Sequence, residues 1–358
     1  MKWMLLLVPV AIALELLAPD RPLLIFVAAG LSIVPLAAMM AHATGALAAK
    51  FGPGVGGLLN ATFGNAAELI ITLAALREGL HGMVKAALMG GIIGNLLMVL
   101  GLSMFFGGWG RQEQHYNALA SSSQATMLTL AVIALIMPAA FHAVAPEEDA
   151  ALNSLSLWIA LVLIAVYVAY VMFSLVTNRS LFGGDDAEGH GEAHADAHGK
   201  AQGTGRAALM LAIATAGVVL MSELLVGVIE PASDALGLSD AFAGVFVLAA
   251  LGIAAEGATA VVMARRNRMD LSISIVLGSS VQLALLVAPL LVLLSYVVGP
   301  QPMGLLFGTG LVVSVLFAVL ITGNVARDGR SDWLRGVQLL AVYLIVGAVF
   351  YFVPDAPG

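Results

Sequence analysis

The chain has 358 residues, 61% of them hydrophobic and 10% charged, with a formal net charge of −7 and a mean hydropathy of +1.01. Soluble domains carry about 25% charged residues, so a soluble globular domain is excluded and a polytopic membrane protein is expected. The acidic balance argues against nucleic-acid binding, and the absence of cysteine removes disulfides and thiolate metal sites.

The first apolar run, Met4 to Ala18, follows Lys2 as the core of a signal peptide would. Glu15 and Pro19 stand where a small-residue cleavage site belongs, and a second apolar run follows at once. The run therefore reads as a short, retained first helix. Further runs cover about 22–41, 54–76, 83–107, 124–144 and 152–176. After a polar interval they resume at about 206–229, 241–264, 271–298, 302–322 and 334–353. This predicts an all-α polytopic fold of about eleven transmembrane helices, each long enough or nearly so for a hydrocarbon core of ~30 Å. The run 271–298 is over-long and holds Pro289, which predicts a tilt or kink.

Basic residues set the orientation. With the N-terminus on one side and strict alternation, twelve of the 15 Lys and Arg fall on that side, leaving only Arg21, Arg77 and Lys85 on the other. The N-terminus is thus expected in the cytoplasm and the C-terminus outside, as in a bacterial inner membrane.

Two stretches share one pattern. Gly64-Asn65-Ala66-Ala67-Glu68 lies in the third span, and Gly252-Ile253-Ala254-Ala255-Glu256 in the eighth, 188 residues later. Gly90 and Gly278 repeat at the same offset. Spans five apart cross in opposite directions, which predicts two inverted five-helix repeats. The expected units are an N-terminal helix (1–20), a first repeat (21–176), a linker (177–205) and a second repeat (206–358). Inverted repeats place substrate near the midplane, with alternating access by rocking of one part against the other.

A carboxylate at the centre of a membrane helix costs roughly 2.5–3.5 kcal/mol even on lenient insertion scales. Two in matching contexts, Glu68 and Glu256, are expected to face each other and bind a cation. Loss of water favours the protonated carboxyl and a bound cation favours the carboxylate. The same oxygens would thus hold either protons or metal. Ca²⁺ takes six to eight oxygens at about 2.3–2.6 Å. Asn65, and backbone carbonyls freed by a break near Gly56, Gly57 and Gly64, are candidates for the remaining ligands. Asn60, Thr62 and Thr72 lie near Glu68 in helical projection.

The fourth and ninth spans add Asn95, after Gly90-Gly91-Ile92-Ile93-Gly94, and Gln282, after Gly278-Ser279-Ser280-Val281. Ser279 and Ser280 read equally as ligands and as helix-packing residues. Glu223, expected to be buried in the seventh span, is a candidate for a proton path, and Glu230, just before Pro231, for the outer mouth or an interfacial residue. Glu15, His42 and His142 read as interfacial. The Met, Leu and Phe stripes read as core-facing or lipid-facing filler. The linker carries His190, His194 and His198 at a four-residue spacing among acidic residues. That spacing suits a regulatory metal site, and the composition also suits a plain solvated linker.

The stretch from Gly56 to Ile70, with Gly-Asn-Ala-Ala-Glu at its centre, resembles the first signature of the cation/proton exchanger family, within the Ca²⁺/cation antiporter superfamily. Asn267-Arg268-Met269-Asp270-Leu271 and Gly278-Ser279-Ser280-Val281-Gln282 resemble its second signature region. The resemblance implies a secondary antiporter, not an enzyme, that exports Ca²⁺ against protons with Glu68 and Glu256 as ligands and proton carriers. No cofactor is implied. The partners implied are the lipid bilayer and the two ions, with a homo-oligomer left open. The second motif departs from the usual Gly-Asn-Ala-Ala-Glu-His in having Ile253 and Gly257, neither of which ligates or titrates. That keeps Na⁺/Ca²⁺ and Mn²⁺/H⁺ exchange as alternatives. An intramembrane enzyme is the remaining one, disfavoured because no His-Glu-x-x-His motif or Ser/His pairing falls in the spans.

Overall fold

A chain of this hydropathy has to satisfy its backbone polar groups internally, and here it does so almost entirely with helices. The structure, a computed structural model, describes the backbone of residues 2–174 and 204–352, and the side chains over that range except at 2–3, 52–55, 57–58, 60–61 and 149. The expected linker and its histidines, His190, His194 and His198, lie outside the described residues.

In chain order the helices are α1 (Leu7–Leu17), α2 (Pro22–Phe63), α3 (Ala66–Arg77), α4 (His81–Gly108), α5 (Ala118–Val144), α6 (Asp149–Met172), α7 (Thr204–Gly227), α8 (Ile229–Leu236), α9 (Asp240–Arg265), α10 (Met269–Ser295), α11 (Thr309–Arg327) and α12 (Trp333–Phe352). Among the described residues, nine helices are long and apolar enough to cross a membrane, and a shorter apolar helix covers Met4–Leu17. Helix length thus accounts for nine of the eleven expected spans. The outer faces of α6, α7 and α12 expose Trp158, Leu209 and Leu344, as a surface in contact with lipid requires.

The second and third expected spans are joined differently from the expectation. Helical backbone continues through 42–53, where a loop was expected, yet the run is not straight. A Cβ on Gly56 would sit 2.5 Å from the Ala48 carbonyl oxygen. Eight residues of straight helix rise about 12 Å, so the chain doubles back between these two positions. The returning arm ends at Phe63, Gly64 and Asn65 form a turn, and α3 begins at Ala66. The third span is therefore a broken helix, interrupted one turn before Glu68.

Three other helices contain a wide, π-type turn: Gly94–Val99 in α4, Ala243–Leu248 in α9 and Leu283–Val287 in α10. The turns in α4 and α10 fall at nearly the 188-residue offset and begin beside Asn95 and Gln282. The kink expected at Pro289 takes this form: proline has no N–H to give the preceding turn, and the wide turn sits just ahead of it.

Two bodies of packed side chains share the interior. One gathers α1, α2 and α7 with the inner faces of α3 and α9. The larger one gathers α4, α5, α6, α10, α11 and α12 with the remainder of α9. The α4–α9 contact is close because small residues meet backbone on both sides: a Cβ on Gly244 would lie 2.5 Å from the Ala86 Cβ, and one on Gly90 would lie 2.5 Å from the Val245 Cα.

At one end of the bundle three interhelical loops interlock. Strand β1 (Gln114–His115) pairs antiparallel with β2 (Arg330–Ser331), Gln114 opposite Ser331. Buried Gln114 donates from Nε2 to the Ala264 carbonyl at 2.9 Å and to Asn267 Oδ1 at 3.0 Å. Asn267 holds a left-handed φ of 61°, a conformation asparagine tolerates better than most residues. The Asn117 N–H donates to Asp270 Oδ1 at 2.5 Å.

Candidate functional site

Glu68 occupies the first turn of α3, where the positive end of the helix dipole favours a carboxylate. The break at Gly64–Asn65 creates that helix start in mid-chain. The Thr72 hydroxyl donates to the Glu68 backbone carbonyl at 2.6 Å. Glu68 is only 7% exposed, and its side chain lies on Gly252 of α9, where a Cβ would come within 2.9 Å of the Glu68 Cγ. Glu256 projects from the same helix, one turn further on.

The two carboxyl groups line a single cavity of about 10 Å³, at the lower limit of what holds one water molecule. Ala37, Met40 and Ala41 of α2, Phe63 and Gly64 at the break, and Gly252 and Ala255 of α9 complete much of its wall. Glu68 Oε1 and Glu256 Oε2 are buried and, among the described residues, have no hydrogen-bond partner. A buried oxygen of this kind normally finds one. A second cavity of the same size lies on the Thr72 side of Glu68, bounded by Ile71, Ala87, Leu88 and Gly91.

Beside the carboxylates runs a network of neutral groups that joins the two halves of the sequence. Asn65 Nδ2 donates to Gln282 Oε1 at 2.8 Å and to the Ser279 carbonyl at 3.4 Å. The Ser279 hydroxyl donates to Asn65 Oδ1 at 2.8 Å and accepts from Asn95 Nδ2 at 3.0 Å. Asn65, Asn95, Ser279 and Gln282 are thus brought together, with two of the carboxamide oxygens engaged within the network. Ser280 stands apart, donating to the Val276 carbonyl of its own helix at 2.9 Å.

Ile253 sits at the repeat position of Asn65 and behaves in the opposite way. It is 1% exposed, and its Cδ1 would lie 2.7 Å from a Cβ on Gly94. The site therefore has a polar wall between α3 and α10 and an apolar wall between α4 and α9.

The other acidic candidates lie at the surface. Glu223 is half exposed and accepts from Arg77, at the end of α3, at 3.0 Å. Glu230 is exposed in the first turn of α8. The side chain of Asn60 lies outside the described ones.

Sequence reasoning missed the contribution of α2. Met40 and its alanine neighbours read as filler, because a stripe of small and apolar residues carries no chemical signal of its own. It missed the Arg77–Glu223 pair for a related reason: nothing in either local sequence points to the other.

Residues 21–176 and 206–352 match the family described as sodium/calcium exchanger protein. The chain is 44% identical over 344 residues to a Ca²⁺/H⁺ antiporter of Synechocystis sp., covering 92% of this chain and 91% of that one. It is 40% identical over 321 residues to the Ca²⁺/H⁺ antiporter ChaA of Bacillus subtilis, covering 89% and 90%. Among solved structures, native YfkE superposes with a TM-score of 0.81 at 34% identity, covering 98% of this chain and 100% of that one.

Proposed function

The chain belongs to the sodium/calcium exchanger protein family, and from that membership we propose that it is a Ca²⁺/H⁺ antiporter whose ion site is the cavity between Glu68 and Glu256. It is a multi-pass membrane protein that moves its substrates and transforms neither. The observation that carries the proposal is the pair of buried, partnerless carboxyl oxygens on one small cavity. Two carboxylates balance the charge of one divalent cation, and two protons balance it equally well, so release of one species prepares the site for the other. The neutral network of Asn65, Asn95, Ser279 and Gln282 is the source of further oxygens, reached when its internal hydrogen bonds give way to the cation. Ser280 lies outside that network, its hydroxyl bonded within its own helix.

The apolar wall of the cavity belongs to the α1–α2–α7 body, while the second cavity, on the Thr72 side of Glu68, has lining from both packed bodies. Sliding of the α1–α2–α7 body over the rest would open a route to Glu68 from one side and then from the other. In this reading the halves 21–176 and 206–358 are the inverted repeats, the N-terminus is cytoplasmic, the C-terminus lies outside, and Glu223 and Glu230 stand at the outer end of the proton route. In a bacterium the protein would sit in the inner membrane and export Ca²⁺ as protons enter.

The test imposes Na⁺ and pH gradients separately on everted vesicles and follows Ca²⁺ uptake. Uptake driven by the pH gradient alone is expected. Uptake driven only by Na⁺, or Mn²⁺ uptake without Ca²⁺ uptake, would replace the coupling or the substrate named here.

A further inference from the structure

We infer that Met40 is a specificity-determining residue of the ion site, a thioether that biases the cavity between Glu68 and Glu256 toward divalent cations softer than Ca²⁺. The inference rests on the reading of that cavity as the transport site. Three of the side chains lining it carry a heteroatom: the carboxylates of Glu68 and Glu256, and Met40. The rest of the wall is alanine, glycine and Phe63. Met40 is 2% exposed, so its side chain is spent on the interior and not on lipid. Ala37 and Ala41, its neighbours on the same face of α2, are too short to compete for the space. A long, unbranched and polarizable side chain adapts to such a gap.

Two of the neutral oxygens nearest the site are engaged with neighbouring side chains rather than with the cavity. Asn65 Oδ1 accepts from Ser279, and Gln282 Oε1 accepts from Asn65. The repeat position of Met40 is Val228, which has no heteroatom and does not line the cavity. The soft ligand is therefore present on one side only, on the α2 wall of the cavity.

Hard Ca²⁺ is held by oxygens, and thioethers prefer softer metals. Cd²⁺ is close to Ca²⁺ in charge and size and differs mainly in softness, so comparing the two isolates the contribution of sulfur. Between the carboxylates, Cd²⁺ gains a bond from Met40 that Ca²⁺ does not.

The experiment uses the full chain in proteoliposomes, with Cd²⁺ competing against Ca²⁺ in proton-coupled exchange. In Met40→Leu, which keeps shape and apolarity, the apparent affinity for Cd²⁺ relative to that for Ca²⁺ is expected to fall about tenfold. X-ray absorption at the cadmium edge on the wild-type protein is a second readout that does not depend on a variant folding. The chain has no cysteine, so a Cd–S path in the fraction that Ca²⁺ displaces can come only from methionine. That path is expected in the wild type and lost in Met40→Leu. An unchanged Cd²⁺-to-Ca²⁺ ratio in Met40→Leu, or a wild-type shell of oxygen and nitrogen alone, overturns the inference and leaves Ca²⁺/H⁺ exchange standing. Failure of the underlying reading looks different, since the wild-type chain would then carry no Ca²⁺-dependent proton flux at all.

Discussion

Gly252 lies directly against Glu68, so closely that a single added methyl group would meet the Glu68 Cγ at 2.9 Å. A glycine in mid-helix costs roughly 0.5–1 kcal/mol relative to alanine, and its use here lets one half of the chain approach the carboxylate of the other. Gly252→Ala is therefore expected to strengthen α9 locally and to displace the carboxyl group. Since a misplacement of about 1 Å at a site can cost about 100-fold, Ca²⁺-dependent proton flux should fall at least about tenfold in a variant that still inserts. Wild-type flux in Gly252→Ala would show that the Glu68 position is not critical.

The Asn65–Ser279–Gln282 network predicts a stability effect separable from transport. Asn65→Ala removes the donor to Gln282 Oε1 and the acceptor of the Ser279 hydroxyl proton, at a cost of about 1–3 kcal/mol. Thermal unfolding of the purified protein should report it. The double variant Asn65→Ala/Ser279→Ala should lose less than the sum of the single variants, because residues in one network are not additive. Strict additivity would mean that the two side chains do not interact.

Arg77 and Glu223 join the end of α3 to α7 through an exposed ion pair, and such pairs contribute about 0–1 kcal/mol. The contact is weak enough to break in each transport cycle. Glu223→Gln is expected to change the exchange rate while leaving the number of protons exchanged per Ca²⁺ unchanged. Flux and reversal measurements on the same vesicles check both. A changed ratio would place Glu223 among the groups that carry the coupled protons.

The interlocked loops make a prediction at high pH. Burial pushes the Tyr116 phenol up to about 12, with smaller opposing effects from Arg335, which lowers it, and Asp328, which raises it. Its hydroxyl donates to the Val325 carbonyl at 2.5 Å. A folded-state value above the unfolded one, about 10, means that the stabilisation is complete below about pH 10. It is then lost as the pH rises toward about 12. Cross-linking between cysteines introduced at His115 and Arg330 should weaken over that window in the wild type. In Tyr116→Phe the extra loss over that window should be absent.

Much of this could be read before any coordinates. The two glutamates stood out because charge is expensive in lipid, and their 188-residue spacing tied them to one site. Asn95 and Gln282 stood out as carboxamides on apolar helices. The asymmetry between the halves was harder to see. Gly64-Asn65 and Gly252-Ile253 look equivalent in a repeat, yet one breaks its helix and the other continues it. The difference comes from tertiary packing: Ile253 fits over Gly94, whereas Asn65 finds partners on α10. The wide turn beside Gln282 was marked by Pro289 just after it, whereas the one beside Asn95 has no local signature. Met40 was invisible too, since only the fold brings it to the same cavity as the two glutamates.

The central claim is that Glu68 and Glu256 together hold the transported ion and the protons exchanged for it. It is tested most directly by Ca²⁺-dependent collapse of an imposed pH gradient in proteoliposomes containing the wild type, Glu68→Gln or Glu256→Gln. Each glutamine variant should insert normally and lose the Ca²⁺-dependent signal, because an amide neither balances the divalent charge nor gives up a proton. Full wild-type collapse of the gradient in either variant would contradict the claim.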